Sequence, residues 1–221
     1  VEYKAQYQYL KTLLTQHKQQ LFAQKVANRT QYYCLVLDQL EAPHNVNAIL
    51  RSADVFGFQS VFGIEAETLP EVKRGISKGA DKWVTFTPFI GPQAHQVCFD
   101  TLESNGYILT GLSGSPQAID VWDLDPTKKR AFVLGNEKYG LRPASLSRIT
   151  EMVRIPMVGF SESLNVSVVA GILMAILRKK LPAHLAQLPD ETTFQVLCEW
   201  ALKTIPSGPA ILSHFLTKTD R

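Results

Sequence analysis

The sequence predicts an α/β protein: a mostly parallel sheet flanked by helices, with a helical extension at each end of the chain. Three observations carry that expectation. From Tyr32 onward, short apolar runs alternate with helical stretches, the pattern of a parallel sheet covered on both faces. Apolar residues make up 45% of the 221 and charged residues 19%, which describes a globular chain long enough for a full core. Val166 to Lys180 reads as one long helix, apolar nearly all round, as a helix buried or partly held in a subunit interface would be. The expected division is a helical extension over 1–28, a main domain over 29–181 and a second helical extension over 182–221.

Residues 1–28 are rich in Gln, Lys, Leu and Tyr, and Tyr3, Tyr7, Leu10, Leu14 and Leu21 recur at helical spacing, so one or two helices are expected. Lys4, Lys11, Lys18, Lys25 and Arg29 recur at about sevens along one side. They form either a solvated face or an arm that contacts phosphates. The strand candidates are YYCLVLD, SVFGIE, WVTFTPF, ILTGLS, RAFVLGN and MVRIPMV, with helical stretches near 46–56, 92–104 and 143–150. After Pro182, TTFQVLCEWALKTI and PAILSHFLTKTDR predict one or two further helices.

Open parallel sheets bind ligands at the carboxyl ends of their strands. Three segments leaving strands therefore carry the functional reading. In EAPHNVNAILRSADVFG, Asn45 is placed to cap a helix and Gly57 to end it in the left-handed conformation. At 100° per residue Val46, Ile49, Leu50 and Ala53 share the core face, while Asn47, Arg51 and Asp54 share the opposite one. Arg51 is then either a plain exposed charge or a functional cation. In LGNEKYGL, Gly135 lets backbone approach a ligand closely and Glu137 supplies a carboxylate. Its glycine spacing resembles part of a phosphate-binding loop, but Leu141 stands where that loop needs Lys, and no G-x-G-x-x-G occurs, so the fingerprints of triphosphate and dinucleotide binding are missing. In IPMVGFSESLNVSVVAG, Asn165 is placed to cap the long apolar helix, whose polar entry loop suits a polar ligand group.

A fourth segment, PEVKRGISKGADKW, mixes Lys73, Arg74, Lys78 and Lys82 with glycines and Trp83. It is either a flexible surface loop or a clamp for RNA backbone and a stacked base. The net charge of +3 is compatible with a nucleic-acid partner without requiring one. No apolar run reaches the roughly 18 residues of a membrane span, and the first residues lack the order of a secretion signal. Cys34, Cys98 and Cys198 are odd in number and lack metal-ligand spacing, which predicts reduced thiols in a cytoplasmic protein and no metal site.

Taken together, the three strand exits resemble the signature motifs of the SpoU/TrmH family of RNA ribose 2′-O-methyltransferases. Asn45 to Gly57 is similar to N-x-x-A-I-x-R-[ST]-A-x-x-F-G. Leu134 to Leu141 is similar to L-G-x-E-x-x-G-[LI]. Ile155 to Ala170 is similar to I-P-M-x-G-x-x-x-S-L-N-V-S-V-A, with Val169 inserted before the alanine. The match covers about residues 32–180. Many relatives carry Gly where this chain has Asn47, which puts a polar side chain beside Arg51.

The resemblance implies a SPOUT-type fold with a deep trefoil knot, with knot and cofactor site at about 130–180, and a homodimer assembled through the knot helix. It implies S-adenosylmethionine as cofactor, held by Leu134, Gly135, Asn136, Ile155, Met157, Ser163, Leu164 and Asn165. The catalytic set it implies is Arg51, Asn45, Glu137, Ser163 and Asn165, and RNA contacts fall to Arg51, Lys73, Arg74, Lys78 and Lys82. The implied substrate is the D-loop guanosine of tRNA, favoured by the terminal helices and by too short a stretch before the first strand for the extra domain of ribosomal-RNA relatives. Ribosomal RNA or another tRNA position is the alternative, followed by a non-catalytic RNA-binding module.

Overall fold

The structure is a computed structural model that describes residues 2–67 and 79–219. The chain divides into two compact units, one of Val1–Arg29 with Gln187–Arg221 and one of Thr30–Ala186.

The first unit begins with α1 (Glu2–Thr12), whose Glu2 and Lys11 complement the dipole at their respective ends. Thr15 then caps α2 (Gln16–Val26) by accepting from Lys18 N at 3.3 Å. The break between them divides the sevenfold basic series, with Lys4 and Lys11 on one helix and Lys18 and Lys25 on the next. Arg29 leaves the series altogether, because it is buried with its guanidinium 5.1 Å from the ring of Trp200. Burial against an aromatic ring takes that charge out of the solvated face.

The larger unit opens with β1 (Tyr33–Asp38), every residue of which is buried. It is followed by α3 (Pro43–Phe56), β2 (Ser60–Glu65), a 3-10 turn at Ala80–Lys82, β3 (Thr85–Ile90), α4 (Ala94–Ser104) and β4 (Ile108–Leu112). Next come β5 (Ile119–Asp120), β6 (Arg130–Leu134), the single turn α5 (Pro143–Leu146), β7 (Glu151–Arg154) and α6 (Val166–Lys180). A 3-10 turn at Ala183–Leu185 closes this unit, and α7 (Asp190–Thr204) and α8 (Gly208–Thr219) return to the first. The sheet has seven strands in the order β3-β2-β1-β6-β4-β7-β5, and every pairing is parallel. The protein is thus α/β, with a parallel sheet flanked by helices.

Alternation along β1 and β6 builds two cores. Tyr33, Leu35, Leu37, Phe132 and Leu134 face α3 and α6, whereas Cys34, Val36, Ala131 and Val133 face Cys98, Phe99 and Leu102 of α4. Strands buried on both faces read as the continuous apolar runs seen in the sequence. All three cysteines are buried free thiols. Among the described residues no helix is long and apolar enough to cross a membrane.

Four local expectations are corrected. The helix expected over 143–150 stops at Leu146, because Thr150 N already donates to Leu109 O at 3.1 Å and carries the chain into β7. The two-residue β5 was not foreseen; it is too short to show a period. Asn45 does not cap α3: Ala42 holds that position and Pro43 the first turn, where its fixed φ suits a helix start. Asn47 is not on a solvent face but fully buried, its Nδ2 donating to Pro43 O at 2.7 Å. The helix is covered on more than one side, by α6 and by the 3-10 turn at Ala80–Lys82.

Candidate active site

The order of strands fixes where a ligand can sit. β6 follows β4 in the chain yet lies between β1 and β4, so connections leave neighbouring strands in different directions and open a crevice at their carboxyl ends. A cavity of about 470 Å³ lies there. One wall is the segment Gly135–Leu141 after β6. The other is formed by Ile155, Met157 and the stretch Glu162–Asn165 entering α6. Its floor is apolar, from Leu134, Val153, Val166 and Val169.

The first wall is a tight turn held from within. Asn136 N donates to Gly140 O at 2.9 Å and Gly140 N returns to Asn136 O at 2.8 Å. The Asn136 side chain accepts from Lys138 N and Tyr139 N and donates to Gln39 O at 2.7 Å. Gly140 takes φ +67°, the left-handed region open to glycine. Gly135 leaves no room for a side chain, since a Cβ there would lie 2.4 Å from Gly140 C and Leu141 N. Behind the turn, the buried Asp38 carboxylate accepts from Arg142 N (3.1 Å), Ser145 Oγ (2.7 Å) and His95 Nε2 (2.8 Å).

A polar chain crosses from this wall to the next. Asn45 Nδ2 donates to Glu137 Oε1 at 2.6 Å, and Asn165 Nδ2 donates to Asn45 Oδ1 at 3.1 Å. Glu41 N adds a bond to Glu137 Oε2 at 3.2 Å. Asn165 is the α6 cap, as the sequence predicted, its Oδ1 accepting from Ser167 N at 2.8 Å and Ser167 Oγ at 2.6 Å. Partial burial pushes the Glu137 carboxyl up, but the bonds from Asn45 and from nearby backbone N–H groups outweigh it and hold it below its ordinary value. Glu65, at the end of β2, moves the other way, to about 7, through burial and the charges of Asp38 and Glu137.

The eight residues expected around a cofactor, Leu134, Gly135, Asn136, Ile155, Met157, Ser163, Leu164 and Asn165, all line this one cavity. Asn136 lines it with both ends of its side chain engaged by the turn, so it shapes the wall more than it offers a donor. Of the five residues expected in catalysis, Glu137, Ser163 and Asn165 line the cavity and Asn45 stands directly behind it. Arg51 does not line it; it is exposed on α3. Lys82 is exposed at the end of its 3-10 turn, and Lys73, Arg74 and Lys78 lie outside the described residues. Sequence reasoning missed Leu112, Ser113 and Gly114 at the end of β4, which also line the cavity. The signal was present, as a strand running into Ser-Gly-Ser-Pro. Among the described residues no three His, Cys, Asp or Glu side chains converge as metal ligands would.

A concave, mostly apolar site with a few converging polar groups, at the strand-order switch of a parallel sheet, defines a ligand-binding α/β protein of the kind that handles nucleotide-like molecules. Comparison with known proteins makes the assignment specific. Residues 32–175 match the model of the SpoU rRNA methylase family, and the chain belongs to that family. It is similar to the tRNA (guanosine(18)-2′-O)-methyltransferase of Thermus thermophilus, at 32% identity over 173 residues, 76% of this chain and 88% of the relative. The fold is shared with the TrmH/SpoU tRNA modifying enzyme of A. aeolicus, at TM-score 0.75 and 23% identity over 86% of this chain and 98% of that one. It is also shared with an AdoMet-bound rRNA methyltransferase from Sinorhizobium meliloti, at TM-score 0.60 and 20% identity over 71% and 59%.

Proposed function

We propose that this protein transfers a methyl group from S-adenosylmethionine to a ribose 2′-hydroxyl of RNA, with the D-loop guanosine of tRNA as its target. The observation that carries this reading is the Glu137–Asn45–Asn165 chain, which ties the three family motifs together at the rim of one cavity. The tRNA assignment is supported by the activity named for the Thermus relative, and ribosomal RNA by the family's description and the Sinorhizobium protein.

The cavity fits the cofactor. The apolar lining from Leu134, Val153, Ile155 and Met157 suits an adenine, and the Gly135 backbone also lines the cavity. Ser163, Leu164 and Asn165 would close over it. When bound, the cofactor supplies an electrophilic methyl on a sulfonium.

The chain's own task is to bring a weakly acidic hydroxyl to that methyl in line. Glu137, held ionised, anchors Asn45, and Asn45 fixes Asn165 at the cavity edge. Arg51, on the solvent side of α3, is placed to meet RNA, not cofactor. As the 2′-oxygen gains the methyl its proton would pass to solvent water, and the role of the Arg51 guanidinium is to stabilise the negative charge developing on that oxygen and to grip the adjacent phosphate. Arg51→Ala is expected to lower kcat by about a hundredfold or more while S-adenosylhomocysteine affinity by calorimetry stays within about twofold. Wild-type turnover in this variant would remove Arg51 from the mechanism.

The assembly is a homodimer. The support is a run of exposed apolar residues close in sequence, Met157, Val158, Phe160, Leu164 and Val168, at the entry to α6 and on its first turn. A trefoil knot over about 130–180 is supported by the resemblance of the three motifs and by the match of residues 32–175 to the family model. A cytoplasmic location is supported by the three free thiols.

The deciding experiment incubates the protein and methyl-labelled cofactor with unmodified tRNA and, separately, with ribosomal RNA, and maps the product by mass spectrometry. Methylguanosine in the tRNA D-loop is expected. Label confined to ribosomal RNA would keep the chemistry and overturn the substrate, and none in either would overturn both.

A further inference from the structure

The turn Asn136–Gly140 carries a feature that the methyl-transfer reading leaves unused. Its amides are engaged inside the turn, so its tip side chains project from a fixed base. Glu137 turns towards Asn45. Tyr139 does not pack: its side chain is 57% exposed. Two cations attend its ring, with Lys138 Nζ at 5.0 Å and Arg142 Cζ at 4.9 Å from the centroid. Arg142 is anchored at its backbone by Asp38, and its buried Nε has no hydrogen-bond partner. Glu137 and Gly140, which bracket Lys138 and Tyr139 in the turn, line the cavity, whereas Lys138 and Tyr139 do not.

An exposed aromatic ring on a braced turn, with two long cationic side chains lying over it that can swing aside to phosphates, matches an unpaired nucleotide: a planar base to take their place on the ring and phosphates to neutralise. A protein partner is a poorer match. The exposed apolar set around Phe160 is uncharged in character, whereas this patch concentrates cations. We propose that Tyr139 is the stacking platform for an RNA base neighbouring the nucleotide whose ribose enters the cavity, and that Lys138 and Arg142 contact the flanking phosphates. The inference rests on the RNA methyltransferase reading and extends it. Because every base has a π face, this contact selects an unpaired, accessible segment and not a particular base.

The test uses the full chain and an unmodified tRNA transcript. Tyr139→Ala is expected to raise the RNA KM and the RNA Kd by filter binding about tenfold. Tyr139→Phe and Tyr139→Trp should restore both, because the hydroxyl has no part in stacking. The double variant Lys138→Ala/Arg142→Ala should flatten the slope of log Kd against log salt by roughly 1.5. Affinity for S-adenosylhomocysteine and the unfolding temperature of Tyr139→Ala serve as controls and should match wild type.

Wild-type RNA affinity in Tyr139→Ala, with wild-type protein active, overturns the platform and leaves the enzyme reading standing. So does a change in sedimentation in place of RNA affinity, which would assign the ring to a protein interface. If wild type binds RNA without methylating it, the filter-binding comparison still decides the platform while the enzyme reading falls. Wild type that binds no RNA overturns both.

Discussion

The two walls of the cavity are built on opposite plans. The wall at Gly135–Leu141 is braced from inside by Asn136 and from behind by Asp38. The wall at 156–164 has no regular structure, and we find no hydrogen bond from it to a described residue. It presents Val158 and Phe160 wholly to solvent. The difference separates two tasks. The braced wall sets geometry before any ligand arrives, as electrostatic preorganisation requires. The open wall makes no hydrogen bond with another described residue, and its order is left to depend on what binds there.

Breaking the braced wall at its tightest point should have the largest effect. Gly135→Ala puts a carbon 2.4 Å from two backbone atoms of the same turn, and backbone cannot swing away as a side-chain tip can. We expect a loss of about 3 kcal/mol in denaturant unfolding and no detectable S-adenosylhomocysteine binding by calorimetry. Near-normal binding would mean that the turn relaxes and that the wall is not preorganised.

The brace behind the wall comes next. Burial pushes the Asp38 carboxyl up, but hydrogen bonds from His95, Ser145 and Arg142 N prevail and hold it below its ordinary value. An acid lowered on folding stabilises above its unfolded pKa of about 4, and that stability is lost as pH falls through the lower folded value. Asp38→Asn is expected to cost about 2 kcal/mol at pH 7 and to flatten the acid limb of the stability profile. An unchanged acid limb would show that the three bonds do not favour the charged form.

Glu65 sharpens the same point with a smaller effect of opposite sign. Its carboxyl is raised to about 7 by burial and by the charges of Asp38 and Glu137, so the folded state loses stability as pH rises from the unfolded value of about 4.5 through 7. Partial exposure and solvent screening reduce the effect, and Glu65→Gln should stabilise by about 1 kcal/mol at pH 8 and not at pH 4. Equal stability of both proteins at pH 8 would remove Glu65 from the acidic cluster.

The same contrast explains what the sequence disclosed. Contacts within a few residues were legible: Asn165 as a cap, Gly57 as a left-handed stop, the buried runs of β1 and β6, and a parallel sheet from alternating elements. Motif resemblance added the eight cavity residues. What stayed hidden depends on partners far along the chain. Asn45 looked like a cap because its true partner, Glu137, is 92 residues away. Asn47 looked solvent-facing because helical periodicity records one buried face and cannot show that α3 is covered on others. Asp38 carried no signal at all, since its donors come from α4 and from residues 142 and 145. Seating β6 between β1 and β4 is likewise a matter of topology, which local pattern does not encode.

The smallest effect on the single chain tests the open wall. Val158 and Phe160 are 103% and 109% exposed, so folding removes none of their surface from water. Replacing both by Ser should therefore change unfolding free energy, measured at a concentration where the protein is dissociated, by no more than about 0.5 kcal/mol. If the homodimer closes over this wall, the same change deletes two apolar anchors from its interface, and sedimentation should show self-association weakened by at least about tenfold. Cofactor affinity should fall with it, because Met157 and Leu164 on either side line the cavity and lose the surface that orders them. Undiminished self-association would place the interface elsewhere. A large loss of stability in the dissociated chain would mean that the wall is braced after all, and the contrast between the two walls would fail.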